Sequence, residues 1–179
     1  KSRLNSAEAL CFLASLGGKT LKSDRSSVEN ASISAASHEY DLISSFELSS
    51  GRYFTEQESN SGRPIAIIGN DIRQALFPDV EAIGQEVQAL GRKLTVVGVF
   101  KKEGSSLIDS GHDNVVLMPV NFARNLFNLK SDRLDPLIQI KGKPGISNAE
   151  LMEDIRGVMR SIRRLRPSED DSFALNESK

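Results

Sequence analysis

Hydrophobic positions in residues 62–100 predict a strand, a short helix and a hairpin. Residues 65–68 form a short, β-branched apolar run that ends at Gly69, a pattern typical of a buried strand. Asn70 can cap the turn of helix that follows, and Pro78 prevents that helix from continuing. The apolar face predicted for this helix consists of Ile72, Ala75 and Leu76.

Further strands are predicted where β-branched or alternating apolar residues lie between turn residues. Residues 87–89 and 94–100 form the hairpin, which turns at Gly91. Single strands are predicted at residues 31–37 and 115–118. The middle of the chain is therefore expected to form much of a sheet.

Helical spacing of apolar residues predicts a first helix of about eleven residues that begins at Ser6 and ends at residues 17–18, both glycine. A single helical turn is predicted within residues 38–46. Thr55 and Glu58 have the spacing of a capping box, which predicts a helix start. The apolar face of the first helix would consist of Leu10, Leu13, Ala14 and Leu16.

The region after Pro119 predicts a short helix and then a strand. Asn121 can cap the helix, and residues 137–141 alternate as a strand does, with Ile138 and Ile140 facing inward. The apolar face of this helix would consist of Phe122, Leu126 and Leu129.

The most regular amphipathic pattern of the chain follows Ser147, which forms a second predicted capping box with Glu150. Residues 170–175 then place Phe173 and Leu175 on one side of a short extended segment. The C-terminal part therefore predicts a strand, a helix and a strand, and the predicted fold class is α+β. The apolar face of the long helix consists of Leu151, Ile155, Val158, Ile162 and Leu165.

Composition is that of an ordinary globular domain. The chain has 179 residues, of which 39% are hydrophobic and 26% charged, and its net charge is −1. Because it has no strong overall charge, general binding to nucleic acid or anionic lipid is not expected. The one cysteine, Cys11, lies among apolar residues and is predicted to be buried. No stretch approaches the ~20 apolar residues of a membrane helix, so we expect the chain as presented to be soluble.

Candidate chemistry is sparse. The two histidines, His38 and His112, lie far apart in sequence. Asp109, His112 and Asp113 could ligate a metal from one loop, but their spacing matches no standard metal site. No serine lies in a G-x-S-x-G pattern. The sequence therefore predicts no catalytic, cofactor-binding or metal-binding residue.

Two further features have a structural and a functional interpretation. The turn at Gly69 lacks the glycine pattern of a nucleotide site, and Asp71 would repel a phosphate, so a structural glycine is favoured. The long helix has a basic end, which could contact nucleic acid or an acidic partner. Basic residues also complement the helix dipole there, so a solvated face is favoured. These basic residues are Arg156, Arg160, Arg163, Arg164 and Arg166.

An ordered series of short motifs across residues 38–120 resembles the extracytoplasmic domain of MacB-like ABC transporter permeases, a group that also includes FtsX and the lipoprotein-releasing permeases. Each motif is weak alone, but their order and gaps fit together. The C-terminal part is similar too, at residues 137–141, in the helix from Asn148 and at 171–176. The motifs lie at 39–43, 46–48, 51–55, 65–69, 76–78, 83–85, 96–100 and 116–119.

The resemblance implies two lobes outside the cytoplasmic membrane, between the first and second transmembrane helices of a permease. Residues 1–38 with 131–179 would form a discontinuous, membrane-proximal, porter-like βαβ lobe. Residues 39–130 would form an inserted small α/β lobe of the kind called Sabre in MacB. The matched residues are structural, so the resemblance supplies no active site.

The resemblance also implies partners. ATP hydrolysis is expected in an ATP-binding cassette subunit or domain of the same transporter, reached through the membrane part. A periplasmic adaptor or lipoprotein and a second copy in the full transporter are the other expected partners; nucleic acid is not. The alternative is a free-standing soluble binding or enzyme domain with its site in the loop at 101–114. A third, weaker hypothesis is capture of a small molecule between the lobes.

Overall fold

A computed structural model describes residues 4–103, 111–126, 128 and 134–177. The chain divides into two compact units. One comprises Lys1–Leu10 and Ile140–Lys179, and the other comprises Cys11–Gln139. Strands and helices are interspersed along the chain, which confirms the α+β class.

The described strands are β1 (Ala7–Lys22), β2 (Ser27–Ala36), β3 (Leu48–Gly51), β4 (Ile65–Ile68), β5 (Glu86–Ala89), β6 (Arg92–Phe100), β7 (Val115–Pro119) and β8 (Asp135–Gly142). The described helices are α1 (Tyr40–Ile43), α2 (Glu56–Ser61), α3 (Asn70–Leu76), α4 (Val120–Ala123) and α5 (Asn148–Arg163).

Six strands of the larger unit form a sheet that returns to its starting strand. The order is β2, β7, β4, β6, β5 and β1, and β1 pairs again with β2. The contact between β1 and β5 is made where Lys22 lies opposite Gln88. β2 with β7 and β4 with β6 are parallel pairs. β3 adds to β6 as an antiparallel strand.

Both faces of this sheet are covered by apolar side chains. On β4, Ala66 and Ile68 belong to one cluster, whereas Ile65 and Ile67 belong to the other. This two-sided burial explains why the sequence of β4 is continuously apolar rather than alternating. The second cluster contains Cys11, which is fully buried, as predicted.

The structure confirms the strand, helix and hairpin predicted for residues 62–100. Two details were wrong. Gly69 rather than Asn70 is the N-cap of α3, and Ala75 is exposed, while Ile72 and Leu76 are buried. A Cβ atom on Gly69 would lie 2.1 Å from the carbonyl oxygen of Asp113. The close approach of this backbone segment therefore requires glycine, which supports the structural interpretation.

The predicted N-terminal helix is wrong, because these residues form strand β1. β1 pairs with β2 from Leu13 opposite Ala36 to Lys22 opposite Ser27. Its register shifts between Leu16 and Lys19, where two glycines lie. Before the shift, residues 9–16 are buried or half-buried on both faces of the strand, so apolar and polar residues do not alternate there and the apolar spacing resembles that of a helix.

The other predictions for the larger unit are mostly confirmed. β7 contains the strand predicted at residues 115–118, β2 covers all but the last residue of the strand predicted at 31–37, and α1 lies within residues 38–46. The capping box of Thr55 and Glu58 is present at the start of α2. The short helix α4 forms, but Pro119 rather than Asn121 is its N-cap. Leu129, predicted on its apolar face, lies outside the described residues.

β8 and α5 confirm the strand and the long helix predicted near the C-terminus. Ser147 accepts a hydrogen bond from the backbone N–H of Glu150 at 3.2 Å. Leu151 is buried on α5, but Ile162 is 57% exposed. The inward orientation predicted for Ile138 is wrong, because this residue is 50% exposed.

The strand predicted at residues 170–175 is also wrong. These residues form neither helix nor strand, although Phe173 and Leu175 are partly buried. Side chains of α5 bind the segment instead, and Asp171 pairs with Arg156 and Arg160. The apolar alternation therefore reflects packing of an irregular segment.

Candidate functional site

His112 joins residues that are distant in sequence. Its Nε2 lies 2.8 Å from the hydroxyl of Tyr40, and its Nδ1 lies 3.0 Å from Oε1 of Glu103. A carboxylate accepts only, so Nδ1–H donates to Glu103 and Nε2 of the neutral ring accepts from the Tyr40 hydroxyl. The backbone N–H of His112 also donates to Oε2 of Glu103, at 2.9 Å. We call Tyr40, Phe46, Phe100, Glu103 and His112 the His112 cluster.

Aromatic rings hold the His112 side chain from the other sides. Its ring centroid lies 4.5 Å from that of Phe100 and 5.6 Å from that of Phe46. Phe46 also packs edge-on against Phe100 at 5.2 Å and stacks on Tyr40 at 5.8 Å. The His112 side chain is consequently only 17% exposed.

A surface pocket of about 370 Å³ adjoins the His112 cluster through Phe46 and Glu103. Glu47 and Lys101 form an ion pair of 2.6 Å at its edge. The hydrogen bond from Lys101 lowers the pKa of Glu47. The pocket therefore presents an aromatic surface beside charges of both signs, which suits binding rather than covalent chemistry. Its lining residues are Ser45, Phe46, Glu47, Lys101, Lys102 and Glu103.

The hydrogen-bonded chain from Glu103 through His112 to Tyr40 resembles a proton relay. However, Tyr40 is only 6% exposed, and the chain ends in the second apolar cluster. The Tyr40 side chain is therefore almost completely shielded from solvent. The geometry therefore favours a structural role, in which Glu103 and His112 hold the two described ends of the predicted 101–114 loop together.

The metal hypothesis gains no support from the residues that the structure describes. Both ring nitrogens of His112 are already engaged, and Oδ1 of Asp113 accepts the backbone N–H of Glu103 at 3.1 Å. Asp109 lies outside the described residues. No three His, Cys, Asp or Glu side chains within the described ranges are arranged to hold a metal ion.

His38 lies apart from the His112 cluster and packs near Tyr53, with ring centroids 6.0 Å apart. The Nδ1 atom of His38 and the hydroxyl of Tyr53 are buried and have no hydrogen-bond partner among the described residues. Burial, with a smaller effect of the charge on Asp41, raises the pKa of Tyr53 well above its usual range.

Three arginines at the basic end of α5 form hydrogen bonds with residues that follow the helix. Arg156 and Arg160 bind Asp171, and Arg163 binds Ser172. Arg156, Arg160 and Arg163 therefore contact other parts of the chain and do not form the purely solvated face favoured from the sequence. No sequence pattern indicates this pairing or the contact between Glu103 and His112, because each joins residues with no shared periodicity.

Residues near the two ends of the described chain are held close together on the smaller unit. The backbone N–H of Lys143 donates to the carbonyl oxygen of Ser6 at 2.9 Å. Five residues further on, the side-chain amide of Asn148 donates to Glu177. The first and last described parts of the chain are thus both anchored to residues 143–148.

Comparison with known proteins identifies a family. The family model described as the MacB-like periplasmic core domain matches residues 8–158. The macrolide export ATP-binding/permease protein MacB of Chlorobium luteolum is 28% identical over 149 residues, which are 83% of this chain and 22% of that protein. The chain thus spans less than a quarter of that relative.

Two solved structures have the same fold. The periplasmic region of MacB from Actinobacillus actinomycetemcomitans has a TM-score of 0.75 at 15% identity, with 91% of this chain and 71% of that chain covered. The extracellular domain of the noncanonic ABC-type transporter YknZ from Gram-positive bacteria has a TM-score of 0.70 at 15% identity, with 91% and 80% covered. These matches confirm the resemblance found in the sequence.

Proposed function

The chain belongs to the family of MacB-like periplasmic core domains, and from that premise we propose that it is the extracytoplasmic domain of an ABC transporter permease. In this role it couples ATP hydrolysis on the cytoplasmic side to export, through contact with a substrate or a periplasmic partner. It contributes no catalytic residue. Hydrolysis takes place in an ATP-binding cassette subunit or in another domain of the same protein.

The structural observation that best supports this proposal is the proximity of the two ends of the described chain. Ser6 and Glu177 are anchored to Lys143 and Asn148, which are only five residues apart. A domain inserted between two membrane helices needs both of its ends on the side that faces the membrane. The proximity of these anchors supplies that geometry.

The membrane helices themselves would lie in other parts of the parent protein. Among the residues that the structure describes, no helix has the length and apolar character to span a bilayer. The relative from Chlorobium luteolum is an ATP-binding/permease protein more than four times as long as the matched region, since that region is 22% of its length. The domain would therefore be tethered on the outer side of the cytoplasmic membrane.

The proposal includes a division of labour between two lobes. Residues 1–38 with 131–179 form the porter-like lobe next to the membrane, and residues 39–130 form the inserted Sabre-like lobe. The closed path of the sheet and its two apolar clusters support rigid-body movement of the larger unit, Cys11–Gln139, which contains β2 and most of β1 as well as the whole proposed Sabre-like lobe. Close-packed interiors transmit displacement rather than absorb it.

The partners in this scheme are the ATP-binding cassette component, a periplasmic adaptor or lipoprotein, and a second copy of the permease. The pocket beside Phe46 is the surface that we assign to contact with a substrate or adaptor, because it combines an aromatic side chain with both charges. The same pocket supports the second candidate function, a free-standing binding domain with its site at residues 101–114.

The sequence of the parent gene separates these two functions. The proposed function expects an apolar stretch of about 20 residues on each side of the domain. A parent protein with no such stretch on either side would exclude the permease and leave the free-standing binding domain.

A further inference from the structure

Three arginines on one face of α5 bind the segment that follows the helix. Arg156, Arg160 and Arg163 are spaced by four and three residues, which places them on the same side. Oδ1 of Asp171 lies 2.6 Å from Nη1 of Arg160, and its Oδ2 lies 3.2 Å from Nε of Arg156. One carboxylate therefore joins two turns of the helix to the segment.

Oxygen atoms of the segment complete the contact. Nη2 of Arg160 donates to the carbonyl oxygens of Arg166 and Glu169 at 2.7 and 2.9 Å. Nη1 of Arg163 donates to the carbonyl oxygen of Ser172 at 2.6 Å and to its hydroxyl at 3.0 Å. We call the bonds of Arg156, Arg160 and Arg163 to residues 166–172 the arginine latch.

The arginine latch is better shielded than an ordinary surface ion pair. The side chains of Arg160 and Asp171 are 24% and 27% exposed, whereas that of Glu153, another partner of Arg156, is 76% exposed. Isolated exposed pairs contribute little to stability, but networks with several bonds per arginine are the exception. Because residues 166–172 form neither helix nor strand, these side-chain bonds take the place of regular backbone pairing.

The segment runs back along the helix to which it is bound. It leaves the last turn of α5, passes the latch and reaches Glu177, which accepts a hydrogen bond from Asn148 at the first residue of α5. A force applied at Glu177 would therefore be transmitted to α5 through these side-chain bonds. Without the arginine latch, the segment could move without displacing the helix.

We propose that Asp171 is a positioning residue for coupling, because through the arginine latch it makes α5 and residues 165–177 move as one body. This inference rests on the proposed function, in which the chain continues from this segment to the membrane. The latch then determines whether a displacement at the membrane reaches α5 or is lost in the segment.

The test uses the full-length permease with its ATP-binding component. Amide hydrogen exchange is measured in the absence of nucleotide and in the presence of ATP plus orthovanadate. In the wild-type protein we expect the nucleotide to change exchange rates both in residues 166–177 and in α5. In Asp171→Asn, the amides of Arg166 and Glu169, which donate hydrogen bonds within the segment, should exchange about tenfold faster, as expected for loss of one charge-assisted hydrogen bond that holds the segment. The nucleotide should then change exchange in the segment but not in α5.

Two control variants distinguish loss of the Asp171 carboxylate from a general effect of substitution in this region. Asp171→Glu keeps the carboxylate and should restore the nucleotide effect in α5. Glu153→Gln removes the other carboxylate partner of Arg156, which lies on the helix itself, and should behave as wild type. A nucleotide effect that still reaches α5 in Asp171→Asn would overturn the role of the latch. A wild-type domain that shows no nucleotide effect anywhere would instead overturn the proposed function.

Discussion

The backbone N–H of Lys143 donates a hydrogen bond to the carbonyl oxygen of Ser6 at 2.9 Å. This bond holds the start of β1 beside the end of β8. Asn148, which begins α5, binds Glu177 from the opposite end of the described chain. Both ends therefore lie close to one short stretch, and the proposed insertion between two membrane helices depends on this relationship.

Gly69→Ala is expected to lower the free energy of unfolding by about 2 kcal/mol, since overpacking a well-packed site costs roughly 1–3 kcal/mol. The added Cβ would lie 2.1 Å from the carbonyl oxygen of Asp113. Gly157→Ala is the matched control, because nothing lies within 4 Å of a Cβ at that helical position. The control should stabilise the domain by about 0.5–1 kcal/mol. Urea unfolding of both variants measures the difference, and equal stability would contradict the close approach at Gly69.

Tyr40→Phe should lower the free energy of unfolding by about 1 kcal/mol, because it leaves Nε2 of His112 without its donor. Tyr53→Phe is the control, since the Tyr53 hydroxyl is buried without a partner among the described residues. Its removal should be neutral or stabilising. Nitrogen NMR of the imidazole should show the proton on Nδ1 in the wild-type protein. A proton on Nε2 of the neutral ring would refute the assigned bonding of the His112 cluster.

Glu58 should make the stability of the domain depend on acid pH. The hydrogen bond from Arg52 is the main cause that lowers the pKa of Glu58 to about 2. A carboxylate with a lowered pKa stabilises the fold above its unfolded value, near 4.3, and this stabilisation is lost as the pH falls toward about 2. Urea midpoints of the wild type and Glu58→Gln should therefore differ at pH 6 and converge at pH 2. Glu56→Gln, in the same turn of α2, is the control. A difference that stays constant with pH would contradict this account.

Local sequence patterns predict the elements in which apolar residues and helix-ending residues follow one regular pattern. β4 and the helix after Gly69 were found because one run is short and wholly apolar and the other ends at Pro78. The start of β1 is predicted as a helix, because residues 9–16 are buried or half-buried on both faces and lack the alternation on which strand prediction depends. Pairing with β2, in a hairpin whose last pair is Lys22 opposite Ser27, overrides the helical spacing.

The contacts of the candidate site are even harder to predict from local sequence patterns. Tyr40 and His112 are 72 positions apart, and only the folded sheet brings them within 2.8 Å. The sequence shows the arginines of α5 as a basic end, but no pattern in it points to Asp171 as their partner. Sequence patterns report which side chains are present, whereas such contacts depend on how the chain returns on itself.

Cysteine labelling in intact spheroplasts that express the full-length protein tests the central claim most directly. Val80 is 46% exposed and Ala82 is 1% exposed, so Val80→Cys is the probe and Ala82→Cys the matched control. Cys11 is fully buried, and burial raises the pKa of its thiol, so it should not react. With a membrane-impermeant maleimide, we predict labelling of Val80→Cys without lysis and none of Ala82→Cys. Labelling of Val80→Cys only after lysis would place the domain inside the cell and contradict the account.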